Sequence, residues 1–561
     1  MNDEYDFEGF APWLVIFTTL IGVGLRVYLL DNKGMWLDES FSVWLASHGV
    51  GDMLRWIVQI DQHPPLYYLL LHSWINRYGD TSYSVRLLSV LFGAATIPMI
   101  YLIGKRISGV AVGLVAAALL AFSPFNIRYA QETRMYTLLT FNVAVAIYAL
   151  VRLLTDSRSN RPIGAQFREY WKSWRTGKPE KPTTSEEFSY IDDAHQTTGL
   201  RAWIARLRWS TIKTIETDLA WVALIVFSAA TLLTHNTAVL FLVAINIFVL
   251  GLSAFQRSMR SEAPLAFQSP SLGNWLKAQL GIFILWSPWL IAFIQQASRV
   301  YQEFWVPKPD WTTVLQTLRA FLNEQTPGFA SQIWIMWILY AVVLGLGLVY
   351  FRRKISQLLF LAALFAIPIL GELIVSIWRP IFLERTLLWV TLPVLLVLAA
   401  GIAQFRYRFL ILLVVGILIT NNFSSTADYY RFARKEDWFN PAGYVANFVE
   451  EGDLILFNAG WVQIPFDYYF RTYEDLYAIR VEKHGVPEDM FASGILEPKM
   501  TENDIPGLIS LLNGRERVWL VYSHNAYTDP KGFIPQTIET KMKLIRKREY
   551  YGVQLFLYET P

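Results

Sequence analysis

Apolar residues run through this chain in long, nearly uninterrupted stretches separated by shorter polar intervals. A helix needs about 20 such residues to cross the hydrocarbon core of a bilayer. On that length scale eleven spans are expected, near 10–30, 85–104, 109–126, 134–154, 218–234, 236–255, 276–296, 331–351, 356–377, 386–404 and 409–423. The fifth and sixth almost abut. Asp3, Glu4, Asp6 and Glu8 precede the first run, whereas a cleavable secretory signal begins with positive charge. The first run is therefore expected to stay as a helix. Arg26 near its end needs either snorkelling or a protein-lined setting.

Basic residues in short loops orient such a bundle. With a cytoplasmic N-terminus, Lys105-Arg106, Arg152 with Arg158 and Arg161, Arg257 with Arg260, Arg352-Arg353-Lys354, and Arg406 with Arg408 all fall inside. Merging the fifth and sixth spans would put the later basic loops on the wrong side. Four regions lie outside the bilayer. Residues 31–84 form an outer loop with an amphipathic segment (Phe41 to Ile57) and an aromatic one (Pro64 to Trp74), both suited to interfacial helices. Residues 156–217 form a cytoplasmic insert with Pro179, Pro182 and an amphipathic stretch from Trp203 to Ile215. A further outer loop, 297–330, contains Trp305-Val306-Pro307-Lys308-Pro309. The last region, 424–561, alternates helical segments with strands at 453–457, 518–522 and 553–557, which suits a small α/β domain. The expected organisation is a multi-pass α-helical module, 1–423, followed by an external domain, 424–561.

Composition agrees with the pattern. Charged residues make up 17% of the chain, against about a quarter in soluble domains. There is no cysteine, so disulfides, thiolate metal sites and cysteine nucleophiles are excluded. The formal net charge is +3, and no basic run is interleaved with aromatics as a nucleic-acid groove requires.

Five polar groups sit at the outer ends of spans. Asp38 and Glu39 are adjacent carboxylates after the first span; Asp38 or Ser40 would also serve as cap of a helix starting near Phe41. His63-Pro64-Pro65-Leu66-Tyr67-Tyr68 suits a proline-led helix start with an aromatic belt. Gln131, Glu132 and Arg134 fall within one helical turn, with Tyr136 four residues after Glu132; an ion pair between Glu132 and an arginine is the structural alternative. Arg379 and Arg385 are positive charges on the outer side, able to clamp a phosphate, to meet lipid headgroups, or to pair with Glu384. His235 lies in the turn between the fifth and sixth spans, where a hydrogen-bonded structural role competes with a functional one. Asp38, Glu39, Glu132 and His235 also suit a divalent cation, although no spacing demands one. In the tail, Trp461, Asp467 and Tyr468 suit fold core or surface as well as a site.

Taken in order, Leu37-Asp38-Glu39, His63 to Tyr68, Tyr129 to Tyr136, His235 and Phe382 to Pro393 resemble the GT-C superfamily of membrane glycosyltransferases. The likeness is to the bacterial branch of protein O-mannosyltransferases and lipid A aminoarabinose transferases. The resemblance implies a sugar donor on polyprenyl phosphate, a lipid, protein or glycan acceptor, and chemistry at the outer face of the inner (plasma) membrane. It implies Asp38 in the catalytic cavity, with Glu39 beside it and Glu132 as the second acidic position. His63, Tyr67, Tyr68, Gln131, Arg134, Tyr136, His235, Arg379 and Arg385 would bind substrate. The insert 156–217 has no counterpart in the family pattern. A transporter or flippase of lipid-linked saccharides is the competing class, but it calls for broken helices and polar residues at mid-membrane. A membrane scaffold with the tail as its binding module is a third.

Overall fold

The structure is a computed structural model describing residues 3–176, 215–258, 266–300, 306–325, 334–495 and 498–561. The expected amphipathic stretch from Trp203, together with Pro179, Pro182, Arg260 and Trp305, lies outside the described residues. Among the described residues nine helices are long and apolar enough to cross a membrane, and the pair Val110–Ala121 and Pro124–Ala130, bent by 57°, makes a tenth. Glu216–Leu232, the fifth span expected, is a helix of 17 residues, at the short end of what crosses a bilayer.

Two helices, Tyr136–Thr155 and Glu384–Ile402, are predominantly apolar and mostly buried, as central members of a bundle must be. Ser82–Ser108 and Glu216–Leu232 pack on the first, and Trp334–Phe351 crosses the C-terminal part of the second. That last crossing depends on glycine. A Cβ on Gly401 would lie 2.0 Å from the Val343 carbonyl, and one on Gly347 would lie 2.1 Å from that of Val397. Small residues let membrane helices approach to backbone contact.

Arg26 is protein-lined rather than snorkelling. It is fully buried and donates to the carbonyls of Gly22, Leu120 and Ala121 at 3.0–3.1 Å. Those carbonyls include the last of the bent helix, which the proline-led break at Pro124 leaves without helical partners.

The first loop folds as three short helices, Leu37–Ser47, Val50–Ile60 and Leu66–Tyr78. The first begins at Leu37, four residues before the expected start, and neither Asp38 nor Ser40 caps it. Met53 and Ile57, at i and i+4, bury one face of the second. Residues 131–135 form bends and turns rather than a helical turn, so Gln131, Glu132 and Arg134 point to different partners.

The last membrane helix, Arg408–Phe432, continues past residue 423. The C-terminal domain that follows is built on a five-stranded sheet of order β2-β1-β3-β5-β4, with β1 Leu454–Phe457, β2 Glu482–Gly485, β3 Arg517–Tyr522, β4 Lys543–Tyr550 and β5 Val553–Glu559. β1, β2 and β3 are parallel, while β4 and β5 are antiparallel. The period-2 alternation of strands divides its core. Ile455, Phe457, Trp519, Val521 and Leu555 face one layer, and Leu454, Leu456, Leu520, Phe556 and Tyr558 the other. β1, β3 and β5 were expected. β2 and β4 carry Glu-Lys-His-Gly and Lys-Leu-Ile-Arg-Lys-Arg-Glu-Tyr, too polar for the strand pattern, because both are edge strands with solvated faces.

Candidate active site

The two adjacent carboxylates face opposite ways. Glu39 is fully buried in protein. Arg86 donates to both of its oxygens at 2.8 Å, Lys435 to Oε2 at 2.8 Å, and the Thr133 N–H to Oε1 at 2.9 Å. Burial alone would raise this carboxyl, but Arg86 and Lys435 outweigh it and hold it at about 2. Arg86 is itself fixed by the carbonyls of Leu30, Lys33 and Gly34. Glu132 lies on the far side of Lys435, at 3.9 Å, so two anions balance two buried cations. Burial pushes the Glu132 carboxyl up. The ion pair weighed for Glu132 is thus with a lysine beyond the last span. Arg128 goes instead to Glu324 and Glu384.

Asp38, one residue earlier, opens onto a cavity of about 430 Å³. Its Oδ2 accepts from Arg385 at 2.8 Å. Arg134 lies against the same turn and donates to the Asp38 carbonyl at 3.3 Å and the Ser42 hydroxyl at 3.1 Å. Both oxygens are neutral, and among the described residues the Arg134 Nε–H has no partner and the guanidinium forms no salt bridge; its charge, 3% exposed, is answered through space by the Asp38 carboxylate. Burial would raise the Asp38 carboxyl, yet Arg134, Arg385 and His63 together hold it below the ordinary carboxylate range. Arg134 and Arg385 both lie over the Tyr136 ring, at 6.0 and 5.7 Å.

Other residues on the cavity wall come from separate elements. His63 donates through Nδ1–H to Asp61 Oδ1 at 2.8 Å, and its ring meets that of His235 edge-on at 5.2 Å. The His235 Nδ1 caps the Thr237 N–H at 3.2 Å. Burial first, then the neighbouring His63, Arg134 and Arg385, push His235 well down, toward the neutral imidazole. Arg379 and Arg385 reach the cavity from the segment after Ile355–Trp378, whose turn is held by the Ser376 hydroxyl accepting from the N–H groups of Ile381 and Phe382.

Of the residues expected at a site, Asp38, His63, Arg134, Tyr136, His235, Arg379 and Arg385 therefore converge on one cavity. Glu39, Glu132, Tyr67, Tyr68 and Gln131 do not line it. Tyr67 and Tyr68 are fully buried behind it, Tyr67 against Ser89 at 3.2 Å. Gln131 donates to the carbonyls of Arg26 and Tyr28 and so closes the end of the first helix. Asp38, Glu39, Glu132 and His235 are not gathered as cation ligands; among the described residues no group of three or more such side chains is placed to hold a metal ion. Sequence reasoning missed Asp61, Arg86, Gln296 and Lys435. Asp61, two residues before a histidine and a Pro-Pro pair, carried a legible signal. Lys435 did not, since nothing local ties it to Glu39, 396 residues away.

The short helices of the first loop, the bundle and the C-terminal domain thus enclose one cavity, lined by Asp38 and Asp61 beside Arg134, Arg379 and Arg385. A family model described as dolichyl-phosphate-mannose-protein mannosyltransferase matches residues 62–165, the segment that carries His63, Arg134 and Tyr136. Apo ArnT from Cupriavidus metallidurans superposes with a TM-score of 0.59 at 11% identity, covering 98% of each chain. The same protein bound to undecaprenyl phosphate gives 0.57 at 10% identity, covering 97% of each. The apo oligosaccharyltransferase of Archaeoglobus fulgidus gives 0.51 at 11% identity, over 99% of this chain and 75% of that one. A search of curated proteins found no match. This chain is a membrane protein of the GT-C fold, similar to ArnT along nearly its whole length, C-terminal domain included.

Proposed function

We propose that this protein transfers a sugar from a polyprenyl-phosphate donor to an acceptor hydroxyl, at the outer face of the inner membrane. The observation that carries the proposal is the pair of guanidiniums, buried Arg134 and part-buried Arg385, that share the Asp38 carboxylate on one cavity wall. Two cations on one carboxylate suit a phosphate, to which arginine donates two parallel hydrogen bonds. The similarity to a protein solved with undecaprenyl phosphate supports the same ligand class.

In this reading the donor phosphate sits against Arg134 and Arg385, with Arg379 nearby. Asp38, held ionised, accepts the acceptor hydroxyl proton as that oxygen attacks the anomeric carbon. The anomeric C–O bond breaks, and the phosphate leaves with the electron pair, its charge stabilised by the arginines. Direct displacement inverts the anomeric centre. Glu39 and Glu132 hold the framework through Arg86 and Lys435 rather than touching substrate. A specific observation favours a second base: Asp61 orients the His63 imidazole through Nδ1, which leaves Nε2 to take the proton while Asp38 positions Arg385.

The test is transfer from radiolabelled polyprenyl-phosphate sugars by the purified protein, wild type beside Asp38→Asn and His63→Gln. Loss of about 10²–10⁴-fold in Asp38→Asn, the usual range for a general base, is expected. Full activity in that variant with loss in His63→Gln would transfer the role to His63. No turnover and no binding of any donor would sink the glycosyl-transfer reading.

A further inference from the structure

Among the described residues, Trp461 and Gln296 each present a buried polar atom without a partner on the cavity wall, and neither belongs to the phosphate cluster. The indole N–H of Trp461 has none, although the residue is only 5% exposed. Gln296, 1% exposed, is held by its amide nitrogen, which donates to the carbonyls of Ile57 at 3.2 Å and His63 at 3.4 Å. The opposite amide orientation would set its oxygen against those two carbonyls. Its Oε1 is therefore the atom left over, and it too is unpaired. A buried donor or acceptor without a partner costs about 1–3 kcal/mol, so such atoms mark a place where water or a ligand completes them.

Resting on the glycosyl-transfer reading above, we propose that Trp461 and Gln296 form a saccharide subsite of the cavity, with Trp461 delivered by the C-terminal domain. One sugar hydroxyl both donates and accepts, which matches an indole N–H and an amide oxygen. The cavity, about 430 Å³, falls within the range of about 300–1,000 Å³ that small molecules occupy.

The fold holds Trp461 firmly. It is the second residue of the Gly460–Tyr477 helix, which leaves the carboxyl end of β1. There β1 and β3 lie side by side in parallel, and ligands of α/β sheets collect at that end. The preceding Gly460 is pressed on Met490, whose Cβ would lie 2.1 Å from an added methyl. His524, just after β3, meets the indole edge-on at 4.8 Å. His524 also approaches Glu436 at 3.1 Å, and Glu436 accepts from the Leu37 N–H, one residue before Asp38. The domain that brings the indole thus also touches the start of the Asp38 helix. The subsite is complete only while the two parts are docked.

Equilibrium binding to the full-length protein tests this without turnover. The probes are short polyprenyl-phosphate hexoses, the same polyprenyl phosphate without sugar, and free mono- and oligosaccharides. Trp461→Phe keeps the ring and removes the N–H. It should weaken sugar-bearing ligands about three- to tenfold, the worth of one neutral hydrogen bond, and leave sugar-free phosphate unchanged. Gln296→Met, on a different element, should act in the same direction. Weakening confined to the lipid-linked hexoses assigns the donor sugar, and weakening confined to the free saccharides assigns the acceptor; either supports the subsite. Wild-type affinity in both variants, equal loss of the sugar-free phosphate, or no saccharide binding by the wild type overturns it. A wild type that binds free saccharide but neither binds nor turns over any polyprenyl-phosphate donor would sink the transferase reading and leave the subsite standing.

Discussion

Replacing Glu39 by Gln tests whether this residue is framework or chemistry. The substitution keeps the shape and removes one charge from a buried set in which Glu39 and Glu132 balance Arg86 and Lys435. Glu39 accepts four hydrogen bonds, three of them from cations. An amide oxygen accepts two at most, so at least two are lost. Removing one member of a buried ion pair usually costs about 3–5 kcal/mol, because the partner is left uncompensated. Here the loss is cushioned on both sides. Arg86 keeps three carbonyls at 2.7–2.9 Å, and Lys435 keeps Glu132. The expected cost is therefore near the low end, about 3 kcal/mol. It should appear as a lower midpoint of thermal unfolding in detergent and as easier proteolysis near Lys435, where the last span passes into the C-terminal domain. Adding Arg86→Met should recover part of the loss, with a coupling of about 1–3 kcal/mol. Donor binding at a temperature where the variant is folded should be retained. Glu39→Gln with unchanged unfolding but abolished transfer would refute this reasoning and return Glu39 to a catalytic role.

Arg134→Gln should weaken polyprenyl phosphate binding about ten- to a hundredfold, the equivalent of one or two charge-assisted hydrogen bonds, read by titration with the sugar-free lipid; unaltered affinity would place the phosphate elsewhere. Gly401→Ala should lower the unfolding midpoint by forcing Val343 away, an overpacking cost of about 1–3 kcal/mol or more, whereas Gly416→Ala, with nothing within 4 Å of its Cβ, should be silent. The Glu39 carboxyl titrates at about 2 in the folded protein against an ordinary 4.5. Its stabilisation is therefore complete above pH 4.5 and lost as pH falls toward 2. The gap in unfolding midpoint between wild type and Glu39→Gln should narrow over that window, and a constant gap would contradict the buried pairing.

The span pattern was legible because a bilayer imposes one length and one polarity on each crossing helix, independent of what packs beside it. Three strands of the C-terminal sheet were legible for the related reason that buried strands must alternate or be wholly apolar. The short Glu216–Leu232 helix and the polar edge strands mark the limit, since their neighbours rather than their own residues satisfy their needs. Asp38, His63, Arg134, Tyr136, His235, Arg379 and Arg385 were visible as polar groups stranded at the ends of apolar runs, whereas Asp61 and Gln296 on the same cavity were missed.

Apolar run length and the placement of charge, by themselves, determined that this chain is a polytopic membrane protein and singled out Asp38, His63, Arg134, His235 and Arg385, which line one cavity. Only the tertiary structure decided between neighbours. Asp38 and Glu39 are chemically alike and adjacent, yet successive helical side chains point about 100° apart. One meets the cavity, and the other meets Arg86 and a lysine from the far end of the bundle. Which carboxylate is framework, and that a tryptophan from a separate domain closes the cavity wall, depend on contacts between residues hundreds of positions apart. No local pattern encodes such contacts, because the low dielectric that makes these pairings strong exists only once the helices have packed.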